Sequence, residues 1–425
     1  MDALRIRGGK RLKGEWTVQN AKNAALPIMA GAILTEGKTI LRDCPRLSDI
    51  SDMGEILRTL GCGVHRDGGT LEIDPGGLCG YEMPEELSKR IRSSIFLLGP
   101  ILARFRRANV SLPGGCEIGL RPIDLHLSGL RQLGVQMEEE GGVIRCDGRN
   151  MHPATVHFDY PSVGATENVM MAAALLRGET VLNNVAREPE ILDLQRFLNA
   201  MGAKITGAGT NSIRVQGVPR LTCVEYRPMP DRIAAGTLLA AAAVTGGSVR
   251  LRNVPVEEML AVIAKLEEMG CVISRQENSL TLHGPERLSA FAQLQTQPHP
   301  GFPTDMQAQM MAIASLAKGT SVVVENVFEN RFAHAGDLNR MGANILINGR
   351  TAVIRGVERL SGARVTARDL RGGAALAIAG LAAQGETIVE RARLIDRGYE
   401  SLETALTHLG ADVQRISVER GEEHP

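Results

Sequence analysis

The sequence predicts an α/β fold of six repeated units, arranged as two groups of three. Three observations carry this reading. A Leu/Met-Gly pair recurs about every 70 residues, a small-residue helix precedes each pair, and short alternating strands follow it. The pair stands at Leu60-Gly61, Leu133-Gly134, Met201-Gly202, Met269-Gly270, Met341-Gly342 and Leu409-Gly410. Each closes an apolar pattern of helical spacing, as at 191–197 and 259–266, where glycine suits the left-handed residue that ends a helix. The runs after it, such as 203–205 and 212–215, read as strands joined by a tight turn.

Each unit opens with a helix rich in alanine and other small residues: 24–34, 93–103, 166–176, 233–244, 306–317 and 373–383. A strand follows at 178–185, 247–254, 319–327 and 385–392, and more loosely at 37–44 and 108–113. A surface helix would carry a polar face. These helices therefore belong inside, with sheets and amphipathic helices around them. Six units of ~70 residues exceed one ordinary core and suit two. An open solenoid would show distinct capping repeats, whereas these units look alike from end to end. The first segment, 4–7, needs a sheet to join.

Composition excludes several classes of function. Lys plus Arg and Asp plus Glu are 48 each, so no net field draws in nucleic acid or a membrane. Aromatic residues make up 3%, leaving few platforms for stacked bases. The seven cysteines (44, 62, 79, 116, 146, 223 and 271) are odd in number and lack Cys-x-x-Cys spacing. That argues against a disulfide framework or zinc site, and for a reducing compartment. No basic-then-apolar leader opens the chain, and the apolar run 238–244 is too short to span a bilayer. A cytoplasmic protein without metal or cofactor is expected; His299, between Pro298 and Pro300, has no partner at ligand spacing.

The chemistry concentrates in loops. In Pro113-Gly114-Gly115-Cys116-Glu117-Ile118-Gly119 a single thiol sits on a glycine-rich backbone, followed by Arg121-Pro122-Ile123-Asp124. A nearby cation lowers a thiol's pKa and makes it a usable acid or nucleophile, while an apolar core makes it inert. Two loop sets recur. Lys22-Asn23, Lys89 to Arg92, Ser162-Val163-Gly164, Asp231-Arg232, Asp305 and Asp369 to Arg371 precede the inner helices; Arg46, Arg121, Arg187, Arg331 and Arg397 follow the strands. Basic side chains gathered near helix N-termini form an anion site. Asp231, Asp305 and Asp369 share one slot, and helix capping alone would account for all three; at most one need be catalytic.

These motifs, with Ala21 to Pro27, Ala186 to Glu190, Phe302 to Gln309, Phe328 to Arg331 and Ile395 to Glu400, resemble those of the enolpyruvyl transferase family over nearly the whole chain. The resemblance implies two inside-out α/β barrel domains, each of three repeats with inner helices surrounded by sheets and outer helices. One would cover 22–229 and carry the cysteine loop; the other would cover 1–21 plus 230–425, with the active site in the cleft between them. It implies transfer of the enolpyruvyl group of phosphoenolpyruvate to the 3′-hydroxyl of UDP-N-acetylglucosamine, with release of phosphate. This is the first committed step of peptidoglycan synthesis and the target of the thiol-alkylating antibiotic fosfomycin.

By the same resemblance Cys116 is the proton donor, and Asp305 the base or the anchor of the hydroxyl, with Asp369 a weaker candidate. Lys22, Asn23, Arg121, Arg371 and Arg397 would bind phosphoenolpyruvate, Lys22 and Arg397 counting as catalytic. Asn23, Arg92, Arg121, Pro122, Ile123, Asp124, Leu125, Ser162, Val163, Gly164, Asp305 and Val327 would line the nucleotide-sugar site. Tyr160 stands where some members have a lysine beside the diphosphate. The nearest rival is the sister activity on shikimate 3-phosphate, which lacks this cysteine loop. A nucleotide-sugar-binding regulator and a purely structural repeat scaffold are the other readings.

Overall fold

The structure is a computed structural model that describes residues 2–83, 85–111 and 123–417, with the backbone alone for Arg92. The loop 113–119, Arg121 and Pro122 lie outside the described residues. The chain divides into two compact units, one within 20–229 and the other formed by 2–19 with 230–417. Asn20 and Ala21 go with the first: Asn20 Nδ2 donates to Asp43 O and Ala21 N to Met229 O.

In the first unit the inner helices are Lys22–Gly31, Leu98–Phe105 and Val163–Ala173, and the outer ones Ser48–Thr59, Asp124–Gln132 and Pro189–Ala200. In the second unit the inner helices are Arg232–Val244, Gln307–Ala314 and Leu370–Ala382, and they pack on one another. From Arg232 to Ala243 every residue of the first of these is buried. All-round burial is what alanine permits, because its small side chain lets neighbouring backbones approach from every side. Each unit has its own apolar core around these helices.

The inner helices of the second and fifth repeats begin later than their composition suggests. A 3-10 turn, Arg92–Leu97, precedes Leu98–Phe105, and Thr304–Met306 precedes Gln307–Ala314. Pro100 supplies a reason in the second repeat: lacking an N–H, it fits best in the first turn of an α-helix, although Lys22–Gly31 accommodates Pro27 in its interior. The repeated Leu/Met-Gly pairs do end helices. Gly61, Gly134, Gly202, Gly270, Gly342 and Gly410 have φ of 103°, 90°, 99°, 95°, 97° and 96°, a conformation that β-carbon sterics deny most residues.

Every repeat contributes a sheet with one parallel and two antiparallel neighbours, although in the second the parallel strand shrinks to a Glu82–Asn109 bridge. In the fifth repeat Thr320–Val324 pairs in parallel with Gln293–Gln295 and antiparallel with Thr351–Arg355, which in turn pairs with Asn344–Asn348. The first unit closes on itself, since Glu225–Tyr226 returns to pair in parallel with Thr39–Leu41.

The second unit closes through residues 2–17. Asp2–Arg7 lies between Glu386–Glu390 and Asp412–Ser417, antiparallel to both, in the place the second hairpin strand takes elsewhere. Lys13–Thr17 then pairs in parallel with Ser248–Arg252 of the fourth repeat. Asp2–Arg7 thus completes the sheet of the sixth repeat, and Lys13–Thr17 that of the fourth. Among the described residues no helix is long and apolar enough to cross a membrane.

Candidate active site

Three acidic residues begin the inner helices of the second unit, and the structure separates their roles. Asp231 accepts from the N–H groups of Ile233 and Ala234, both at 2.9 Å. Asp369 accepts from Arg371 N at 2.8 Å and Gly372 N at 3.0 Å. These are helix caps, worth ~1 kcal/mol each. Asp305 holds neither cap position; these fall to Pro303 for the 3-10 turn and Met306 for the helix after it. It sits within the 3-10 turn, and Oδ1 accepts from Arg331 Nη2 at 2.6 Å while Oδ2 accepts from Arg371 Nη2 at 3.0 Å and Nε at 3.3 Å.

Both arginines are buried, whereas a quarter of the Asp305 side chain stays accessible. Burial opposes the charge on Arg371, but Tyr399, Asp305 and Asp231 around it hold its pKa above the ordinary value. Arg331 Nη1 also donates to Thr304 Oγ1 at 3.0 Å, and that hydroxyl donates to Glu325 Oε2 at 2.8 Å. Glu325 Oε1 accepts from Val327 N at 2.9 Å and Phe328 N at 3.1 Å. One buried carboxylate thus fixes the loop that carries Val327, and the Phe328 ring lies 5.0 Å from Arg331 Cζ. Arg397 is half-buried at the end of the 3-10 turn Ala392–Arg397.

His334 is buried beside this cluster with Nε2 unpartnered. Burial pushes its pKa from 6.5 down to about 4, with Asp369 pulling it up and Arg331 pushing it further down. An unfolded chain therefore takes a proton below pH 6.5 that the folded chain refuses until about pH 4. Stability attributable to this residue should fall as pH drops through that window, by at most about 1.4 kcal/mol per pH unit. Urea midpoints measured across it should decline less steeply for His334→Gln than for the unsubstituted protein.

In the first unit Lys22 opens an inner helix and is buried, its Nζ 3.1 Å from Asp49 Oδ2; Asn23 beside it is exposed. Ser162 caps Val163–Ala173, accepting from Ala165 N at 3.4 Å. Gly164 leaves room for a neighbour: a β-carbon there would stand 2.9 Å from His126 Cε1 and 3.0 Å from Phe96 Cε1. His126 is held in turn by Asn168 Nδ2, 2.8 Å from its Nδ1. Gly164 thus lies beside His126 of the helix Asp124–Gln132, at whose start Ile123 is buried, Asp124 exposed and Leu125 half-buried. Tyr160 is exposed.

Within one unit, then, Asp305, Arg371 and Val327 belong to one network; within the other, Gly164 lies against His126 of the helix that Asp124 and Leu125 begin. Cys116, Arg121, Pro122 and the Arg92 side chain lie outside the described residues. The sequence motifs include Arg331, Thr304 and Tyr399 without giving them a role, and do not reach Glu325 or His334. Of the loop arginines in series with Arg331, Arg46 and Arg187 are exposed, so the shared repeat position did not distinguish the buried member. Among the described residues no group of three or more His, Cys, Asp or Glu is placed to hold a metal ion.

Comparison with known proteins defines the class first. The profile described as EPSP synthase (3-phosphoshikimate 1-carboxyvinyltransferase) matches residues 6–406. The solved structure of the enolpyruvyl transferase NikO from Streptomyces tendae superposes with a TM-score of 0.88 at 24% identity, over 98% of this chain and 99% of that one. EPSP synthase from Acinetobacter baumannii gives 0.77 at 18% identity, over 98% and 100%. These neighbours share the two-domain α/β enolpyruvyl transferase fold.

Sequence relatives narrow the class. UDP-N-acetylglucosamine 1-carboxyvinyltransferase 2 of Caldanaerobacter subterraneus is 51% identical, over 98% of this chain and 100% of its own length. UDP-N-acetylglucosamine 1-carboxyvinyltransferase of Myxococcus xanthus is 50% identical, over 98% and 99%. The chain belongs to the enolpyruvyl transferase family, in the branch whose members carry that name.

Proposed function

We propose that this protein transfers the enolpyruvyl group of phosphoenolpyruvate to the 3′-hydroxyl of UDP-N-acetylglucosamine and releases inorganic phosphate, as the first committed step of peptidoglycan synthesis in the cytoplasm. The observation that carries the reading is the Asp305 carboxylate between two buried arginines, in a chain about half identical to carboxyvinyltransferases along their whole length. Buried guanidinium groups suit a small substrate bearing a carboxylate and a phosphate, because bidentate geometry matches both.

The hydroxyl oxygen adds to C2 of phosphoenolpyruvate while C3 takes a proton, giving a tetrahedral ketal. Loss of phosphate with removal of a C3 proton then restores the double bond. Cys116 donates the proton at C3. Asp305 accepts the hydrogen bond of the attacking hydroxyl, a role open to it because part of its side chain remains accessible. Lys22, Asn23, Arg121, Arg371 and Arg397 hold the acidic groups of phosphoenolpyruvate, and Arg331 supports Asp305. Asn23, Arg92, Arg121 to Leu125, Ser162 to Gly164 and Val327 receive the nucleotide sugar. No cofactor enters these steps.

The test is incubation with both substrates, with phosphate assayed and the product weighed by mass spectrometry. Phosphate release with a product heavier than the nucleotide sugar by one enolpyruvyl group supports the proposal. Release with shikimate 3-phosphate in place of the nucleotide sugar, and none with the latter, would sink it.

A further inference from the structure

Arg371 is held on two sides and lacks a hydrogen-bond partner on a third. One edge of its guanidinium meets Asp305, and its Cζ lies 5.2 Å from the centre of the Tyr399 ring. Nη1 is buried and has no hydrogen-bond partner. An unmade hydrogen bond on a buried cation is costly unless a ligand completes it. Space beside that nitrogen is preserved by Gly398, where a β-carbon would stand 3.3 Å from Nη1 and 2.3 Å from Leu370 Cδ1.

The ring beneath the guanidinium is itself locked. Tyr399 is buried, and its hydroxyl lies 2.9 Å from Thr237 Oγ1 and 3.1 Å from Gln309 Nε2. Thr237 already spends its single proton on Ile233 O at 2.7 Å, so the tyrosine hydroxyl is the donor to Thr237. Gln309 Nε2 donates to both oxygens. Thr237, Gln309 and Arg371 come from three different inner helices, and Tyr399 ties all three together.

We infer that Tyr399 is a positioning residue, which fixes the plane of Arg371 so that Nη1 is presented to an acidic group of phosphoenolpyruvate. The inference rests on the function proposed above and adds to it a residue that touches no substrate. The attraction of a guanidinium for an aromatic face strengthens away from water, which is the situation here. A merely space-filling tyrosine would leave substrate preference untouched when replaced by another apolar side chain.

The experiment compares steady-state kinetics of the unsubstituted protein with Tyr399→Leu, Tyr399→Phe and Thr237→Val, alongside their thermal midpoints. Tyr399→Leu is expected to raise KM for phosphoenolpyruvate about tenfold while KM for the nucleotide sugar stays within about twofold. Tyr399→Phe, which keeps the ring, should restore KM to within about threefold of the starting value. Thr237→Val, which releases the hydroxyl with little change in volume, should raise the same KM about threefold and so tests the lock even if the leucine variant does not fold. An unchanged KM for phosphoenolpyruvate in Tyr399→Leu or Thr237→Val, or equal changes for both substrates, overturns the inference. Failure of the unsubstituted protein to release phosphate overturns the proposed function instead, so the two outcomes are distinct.

Discussion

Replacing Cys116 with alanine is expected to lower phosphate release by about 10²- to 10⁴-fold, the range a positioned general acid contributes. Three of the other thiols are unsuited to take over. Burial pushes Cys62 and Cys271 up to about 12 and Cys146 up to about 11, which makes them poor thiolates and inert to alkylation near neutral pH. Cys44 is buried too, and Cys79 and Cys223 are exposed. Cys116→Asp should keep measurable turnover, because a carboxyl can also deliver a proton, and should resist fosfomycin. Phosphate assays with and without the antibiotic read both outcomes. Full activity in the alanine variant would remove the thiol from the mechanism.

Asp305→Ala should both destabilise the protein and abolish turnover. It would leave Arg331 and Arg371 buried without the carboxylate that pairs with both, and breaking a buried pair in this way typically costs 3–5 kcal/mol. The accessible quarter of the Asp305 side chain lets solvent screen part of the loss, so about 3 kcal/mol is expected. Asp305→Asn keeps the shape and one acceptor oxygen, and should lose less stability while remaining nearly inactive. Urea denaturation and phosphate release on the same preparations separate the two effects. Equal midpoints for all three proteins would show that Asp305 does not organise the arginines.

The repeat architecture was legible because it is written in backbone requirements. A left-handed residue at six helix ends needs glycine, and alanine-rich helices need burial on all sides. Both signals survive divergence of everything around them. The Asp305 cluster was only partly legible. Asp231, Asp305 and Asp369 occupy matching slots, yet only Asp305 turns away from its helix, because arginines at 331 and 371 offer stronger partners than backbone N–H groups. Nothing local marks that choice. Likewise Thr237, Gln309 and Tyr399 are far apart in sequence and meet only once three helices are packed. The sheet that 4–7 would join was also beyond sequence, since pairing with 386–390 and 412–417 depends on closure of the unit.

That closure has a consequence for biosynthesis. The described residues of the first unit all fall within 20–229, so its described strands are complete once 229 has left the ribosome. The other unit must wait. Asp2–Arg7 cannot find both neighbours until 412–417 emerges, a delay of ~20–80 s at ordinary elongation rates. During that interval residues 2–7 travel without their sheet, and nascent chains halted after residue 380 should carry one protease-resistant body rather than two.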